Sequence, residues 1–136
     1  MLLYCDSSAL VKLVVNEPES DALESWLATQ PEPALISSVV ARTEVIRAIG
    51  RSDPSAVTPA QELLEAVSVV ELDAALADEA AGLQPALMRT IDALHVASAL
   101  RISEALGVLV SYDDRMLAAA REHGLTAASP GRSASA

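Results

Sequence analysis

The chain reads as an α/β protein: a central, mostly parallel sheet of four to five strands, covered by helices on both faces. Two observations predict this. Short, wholly apolar runs alternate along the chain with longer segments whose apolar residues recur at helical spacing. The runs do not alternate apolar with polar residues, which suits strands buried on both sides. Length agrees, because 136 residues can bury one real core but are too few for two ordinary domains.

Each element has a local reason. Leu2–Cys5 is an apolar strand, and Ser8–Val15 a helix stopped near Asn16-Glu17-Pro18, because the residue before a proline disfavours the helical region. A helix from about Glu19 to Thr29 carries Leu23, Trp26 and Leu27 on one stripe. That stripe is ordinarily core; a groove for a partner segment is the sharper reading. After the break "QPEP" come the strand "ALIS" and the helical "SVVARTEVIRAIGR". A helix through "AQELLEAV" leads to the strand "SVVEL", and Asp73 caps the helix "DAALADEAAGL". "QPALMR" is a connection, and "TIDALHVASALRISEAL" is the strongest helix. The strand "VLVS" follows, then the helix "DDRMLAAAREHG", closed by Gly124, and a short edge strand "LTAA". Residues 1–129 form the expected domain, and 130–136 an expected flexible tail without apolar pattern.

Composition narrows the function. The net charge is −10, with Lys12 the sole lysine beside eight arginines, so broad electrostatic binding to nucleic acid is disfavoured. An enzyme that meets phosphates through bound metal, or a protein with a basic partner, remains open. Cys5 has no disulfide partner and reads as a small buried thiol, which fits a reducing compartment. No apolar run approaches a membrane span and no basic-then-apolar leader opens the chain, so a cytoplasmic protein is expected.

Four acids stand beside apolar elements rather than on evidently exposed faces. Asp6 ends the first strand, Glu44 and Asp92 lie within aliphatic helices, and Asp113 follows the fourth strand with Asp114 behind it. Two strand ends in a parallel sheet share one edge, so Asp6 and Asp113 can converge there. Helices starting at that edge would bring Glu44 and Asp92. Clustered carboxylates repel, and either raise a pKa or recruit a cation. An all-oxygen set suits Mg²⁺ or Mn²⁺, which can activate water for phosphodiester hydrolysis. Scattered helix caps and surface acids explain the same spacing without any site.

Four segments resemble the PIN-domain ribonucleases, specifically VapC-type toxins of toxin–antitoxin pairs. They are "YCDSSALVKL", "SSVVARTEVIRAI", "LMRTIDALHVASAL" and "VLVSYDDRMLAAAREHGL", which together span almost the whole chain. The resemblance implies a three-layer α/β/α fold and an acidic quartet of Asp6, Glu44, Asp92 and Asp113. It implies that Asp6, Asp92 and Asp113 bind Mg²⁺ or Mn²⁺ and that Glu44 holds a second ion or positions the attacking water. Ser8 and Ser111 match hydroxyl residues that orient carboxylates. An RNA substrate, a cognate antitoxin and a homodimer are likewise implied. The excess negative charge suggests that the antitoxin directs a cation into the acids.

Several residues have two readings. Asp113 is favoured over Asp114 as the ligand, since the Ser-x-Asp spacing points to it and a cap accounts for the neighbour. With Asp6 taken as a ligand, the cap of the first helix is assigned to Ser7 or Ser8. His95 lies about 60° around the helix from Asp92 and reads as a packing or hydrogen-bonding residue before a general base. His123 faces a helix C-terminus. Arg47 is an ion-pair partner for Glu44 or a phosphate contact, and Arg89 and Arg115 are further candidate RNA contacts. A haloacid-dehalogenase-like phosphatase is the main other enzyme class. It wants a second aspartate where Ser8 stands and a well-placed lysine, and a receiver-like module also lacks its late lysine. A non-catalytic PIN scaffold binding RNA or protein is the third reading, and an intact quartet argues against it.

Overall fold

A computed structural model describes residues 1–132. Five strands form one sheet: β1 (Leu2–Cys5), β2 (Ala34–Ser38), β3 (Ser68–Val70), β4 (Leu106–Val110) and β5 (Ala127–Ala128). Their order is β3-β2-β1-β4-β5 and every pairing is parallel. The helices are α1 (Ser7–Lys12), α2 (Ser20–Thr29), α3 (Ala41–Ser52), α4 (Val57–Ala66), α5 (Ala74–Ala81), α6 (Thr90–Arg101) and α7 (Asp114–Glu122), with a 3₁₀ turn at Pro54–Ala56. This is the expected α/β/α architecture, with the sheet parallel throughout.

Period-two alternation along the strands divides the core. Cys5 and Val110 face α1 to α4, where they pack with Leu10, Leu23, Val45, Ile49 and Leu64. Tyr4 and Leu109 face the other side, against Val96, Ala99 and Met116 of α6 and α7. Leu76 and Ala80 of α5 close that side against α6. The stripe of α2 is core: Leu23 is fully buried, and Trp26 and Leu27 pack on it. Cys5 is a buried free thiol.

Several expected boundaries move. The first helix ends at Lys12, because Leu13 closes it with a backbone bond to Leu10. The strongest helix stops at Arg101 rather than Leu106. Residues 102–105 turn the chain there, so that Leu106 can enter the sheet beside Leu2. Gly107 lies inside β4 rather than before it, where a Cβ would come 2.6 Å from Met1 Cγ. At the C-terminus, Tyr112 Oη donates to the Pro130 carbonyl at 2.7 Å, and Arg132 bonds to the Tyr112 carbonyl and Asp114. The remainder of the expected tail, 133–136, lies outside the described residues. No helix among the described residues is long and apolar enough to cross a membrane.

The topology positions the site. From β1 the chain winds one way through β2 and β3, while β4 and β5 lie on the other side of β1. The reversal between β1 and β4 leaves a crevice at their carboxyl ends, where open α/β sheets bind ligands.

Candidate active site

Pairing of Cys5 with Val110 brings the residues after β1 and β4 together. Asp6 and Asp113 therefore meet at the crevice. Glu44 and Asp92 sit in the first turns of α3 and α6, which bring them to the same edge. An open cleft of about 440 Å³ is lined by all four acids, with Ser7, Ser8, Arg89, Thr90, Ile91, His95 and Met116. The expected convergence is present in space.

Asp6 is 4% exposed and tightly held. Its Oδ1 accepts from Ser8 Oγ at 2.6 Å and from the Ala9 N–H at 3.1 Å, and its Oδ2 accepts from Ser111 Oγ at 2.5 Å. The two hydroxyls in turn accept the N–H groups of Tyr112 and Asp113, which ties α1 to the loop after β4. Burial pushes the Asp6 carboxyl above the usual carboxylate range, and these donors only partly offset it. The cap of α1 is Asp6 itself. Neither Ser7 nor Ser8 caps it: Asp6 Oδ1 accepts the Ala9 N–H, which leaves Oδ2 to Ser111.

Asp113 likewise does two jobs. Its Oδ1 accepts from the N–H groups of Arg115 and Met116, which caps α7, while Oδ2 faces the cleft. Asp114 does not line the cleft; it points outward to Arg132 at 2.8 Å. Of the two neighbours, Asp113 is therefore the one at the site, and the helix cap falls to it rather than to Asp114.

Glu44 Oε1 accepts from Ser7 Oγ and sits 2.6 Å from His95 Nε2. Burial works against its ionised form. The His95 hydrogen bond, the charge His95 carries when protonated and the Ser7 hydrogen bond together outweigh this and hold the carboxyl below its ordinary range. His95 is buried, and its Nδ1 lies 2.7 Å from Tyr4 Oη. Burial pushes the Tyr4 phenol well up, so it stays protonated and can donate to Nδ1, leaving Nε2–H for Glu44. The histidine is thus a hydrogen-bonding residue between a buried tyrosine and a cleft acid. Tyr4 and Ser7 are contributors that sequence reasoning passed over. A lone phenol in an aliphatic strand was the available signal, since a buried Tyr hydroxyl ordinarily needs a partner.

The arginines separate. Arg89 enters the cleft: Nε lies 3.2 Å from Asp92 Oδ2, and Nη2 lies 2.9 Å from Asp113 Oδ2. Arg47 makes no ion pair with Glu44 among the described residues and lines an adjoining cleft with Lys12 and Arg51. Arg115 faces another surface, beside Leu87, Met88 and Glu122. His123 closes α7, with Nε2 2.7 Å from the Gln84 carbonyl.

The donor chemistry fits a hard divalent cation. All four acids offer oxygen, and Asp6 Oδ2, Asp92 Oδ1 and Glu44 Oε2 keep acceptor capacity after the bonds above. No three His, Cys, Asp or Glu side chains among the described residues already stand at the spacing of one ion's ligands. Waters would complete such a site, as they ordinarily do around Mg²⁺.

Residues 3–125 match the PIN domain family. The chain belongs to that family. Two relatives of this PIN domain are ribonucleases of Mycobacterium tuberculosis. Ribonuclease VapC46 is 44% identical over 128 residues, 94% of this chain and 97% of the relative. Ribonuclease VapC47 is 35% identical over 133 residues, 96% and 98% of the two chains. Among solved structures, Mycobacterium tuberculosis VapC20, a sarcin-ricin-loop-cleaving toxin, superposes with TM-score 0.72 at 16% identity, covering 94% of this chain and 99% of that one. VapBC-1 of nontypeable Haemophilus influenzae gives 0.67 at 17% identity, covering 95% and 98%. At these identities the structural matches establish the fold.

Proposed function

We propose that this PIN domain is an endoribonuclease toxin that hydrolyses RNA phosphodiesters at its acidic cleft and is held in check by a cognate antitoxin. The observation that carries the reading is the meeting of four carboxylates, from four separate elements, in one open cleft at the sheet's reversal point. The names of the relatives give the substrate class, RNA, and the VapBC pairing of one structural neighbour gives the partner class.

In this reading Asp6, Asp92 and Asp113 hold Mg²⁺ or Mn²⁺, directly or through water, and Glu44 holds a second ion or orients the attacking water. Such an ion, when bound, lowers the pKa of water and offsets charge building on the phosphate. Ser8 and Ser111 fix the Asp6 carboxylate so that it need not reorganise. Glu44, oriented by His95 and Ser7, is the base positioned to take a proton from water. The water oxygen bonds to phosphorus as one P–O ester bond breaks, and the departing oxygen takes up a proton. Buried Asp6, disfavoured as an anion, is the group that gains most from a neighbouring cation.

The test compares wild type with Asp6→Asn and Asp92→Asn on structured RNA with Mg²⁺, Mn²⁺ or EDTA. Cleavage should need a divalent ion and fall by about 10³-fold or more in either variant, the scale on which loss of a main electrostatic group acts. Cleavage that persists in both variants, or in EDTA, would sink the reading.

A further inference from the structure

Arg89 stands where a cation shared by Asp92 and Asp113 would stand. It precedes the first turn of α6 in extended backbone, which sends its side chain across the cleft mouth. One edge of the guanidinium is split between two acids, with Nε on Asp92 and Nη2 on Asp113. It is the one lysine or arginine among the residues lining the cleft, against four acids. Among the described residues it is also the sole hydrogen-bond donor to the Asp92 carboxylate.

The exposures are unequal. The Asp92 side chain is 8% exposed and that of Arg89 is 59% exposed. A buried carboxylate left alone is costly, so Asp92 needs a cation nearby. The cation it has comes from the solvent side, is held among the described residues by no side chain but Asp92 and Asp113, and can withdraw into water at little cost.

We propose that Arg89 is an in-chain counter-ion for Asp92 and Asp113 that a divalent ion must displace, so that this arginine sets the metal affinity of the cleft. The inference rests on the reading that these two aspartates are metal ligands. Its consequence is competition. A single positive charge on a flexible arm compensates the acids in the metal-free protein, and a doubly charged ion replaces it. Arg89 is a positioning and competing residue here, not a catalytic one.

The experiment is Mn²⁺ titration calorimetry on the full chain, free of antitoxin and RNA, for wild type, Arg89→Gln, Arg89→Lys and Asp92→Asn. Arg89→Gln keeps length and removes charge, and should bind Mn²⁺ about ten-fold tighter, the low end for loss of an opposing charge at this range in a solvent-screened site. Arg89→Lys, which retains the charge, should stay near wild type. Thermal melts supply a second readout: in EDTA, Arg89→Gln should melt below wild type, and added Mn²⁺ should raise its Tm by more than it raises that of wild type. If wild type binds Mn²⁺ in an Asp92-dependent way but a folded Arg89→Gln binds no tighter, the arginine proposal fails and the metal reading stands. If wild type and Asp92→Asn behave alike toward Mn²⁺, the metal reading fails and takes the arginine proposal with it.

Discussion

Asp6 is an ionisable carboxyl with 4% exposure, whose donors from Ser8, Ala9 and Ser111 do not fully offset its burial. Its folded-state pKa therefore lies above the unfolded value. For a carboxyl raised in this way, the stabilising contribution is complete below the unfolded pKa, near 4, and is lost as pH climbs through the folded value. Asparagine has the same shape and cannot ionise. In EDTA, Asp6→Asn should melt above wild type at pH 7. The gap should close as pH falls toward 4. Saturating Mn²⁺ should reverse the order, because it compensates the anion in wild type alone. Melts recorded between pH 4 and 8 check this, and a pH-independent gap would remove burial of the charge as its cause. The cap geometry at Asp6 and Asp113 shows why single-residue roles were hard to divide from sequence. A cap and a proposed ligand need not compete, because one oxygen of each side chain caps a helix while the other bonds elsewhere, to Ser111 from Asp6 and to Arg89 from Asp113.

Tyr4 on β1, His95 on α6 and Glu44 on α3 form one hydrogen-bonded line across three elements from opposite faces of the sheet. The line fixes where Glu44 points, so its loss should act on turnover more than on RNA binding. Tyr4→Phe leaves His95 Nδ1 without its donor and should cost about 1–3 kcal/mol of stability, the penalty for an unsatisfied buried group. His95→Ala should lower kcat about 10–100-fold with a smaller change in KM, the range seen when the outer partner of a site carboxylate is lost. Single-turnover and steady-state cleavage assays separate these quantities, and an unchanged kcat would reduce the line to packing. At this scale the order of strands and helices was readable from the sequence, because four of the strands are apolar runs flanked by breakers. The length of α6 was not. Ile102 continues the helical apolar spacing, and only the need to return to the sheet beside β1 stops the helix at Arg101. The same limit hid the pairing of Arg89, a candidate RNA contact in the sequence, with the acids, since nothing local tells that a residue 24 positions before Asp113 reaches its carboxylate.

The whole molecule carries a net charge of −10, while its proposed substrate is a polyanion. What counts for RNA is how many cations remain free beside the acids. Lys12 lines the adjoining cleft but is engaged. Its Nζ lies 2.9 Å from Glu19 and 3.4 Å from Glu17, and 4.7 Å from the Tyr112 ring centre. Arg47 and Arg51 line the same cleft and make no ion pair among the described residues. Within these two clefts, two phosphates, or three once Arg89 leaves the aspartates, are then all that side chains can neutralise. At about 0.7 counter-ion released per contact, the slope of log affinity against log salt should lie between about −1.4 and −2.1 for single-stranded RNA. A basic antitoxin meets the full negative field instead, so its association rate should fall much more steeply as salt rises from about 50 to 500 mM, where screening shortens from roughly 14 to 4 Å. Binding of a non-cleavable RNA and of the antitoxin, each titrated across that range, tests both slopes on one preparation. An RNA slope steeper than about −4 would require a cationic surface outside these two clefts, and these arginines would not be the main RNA contacts.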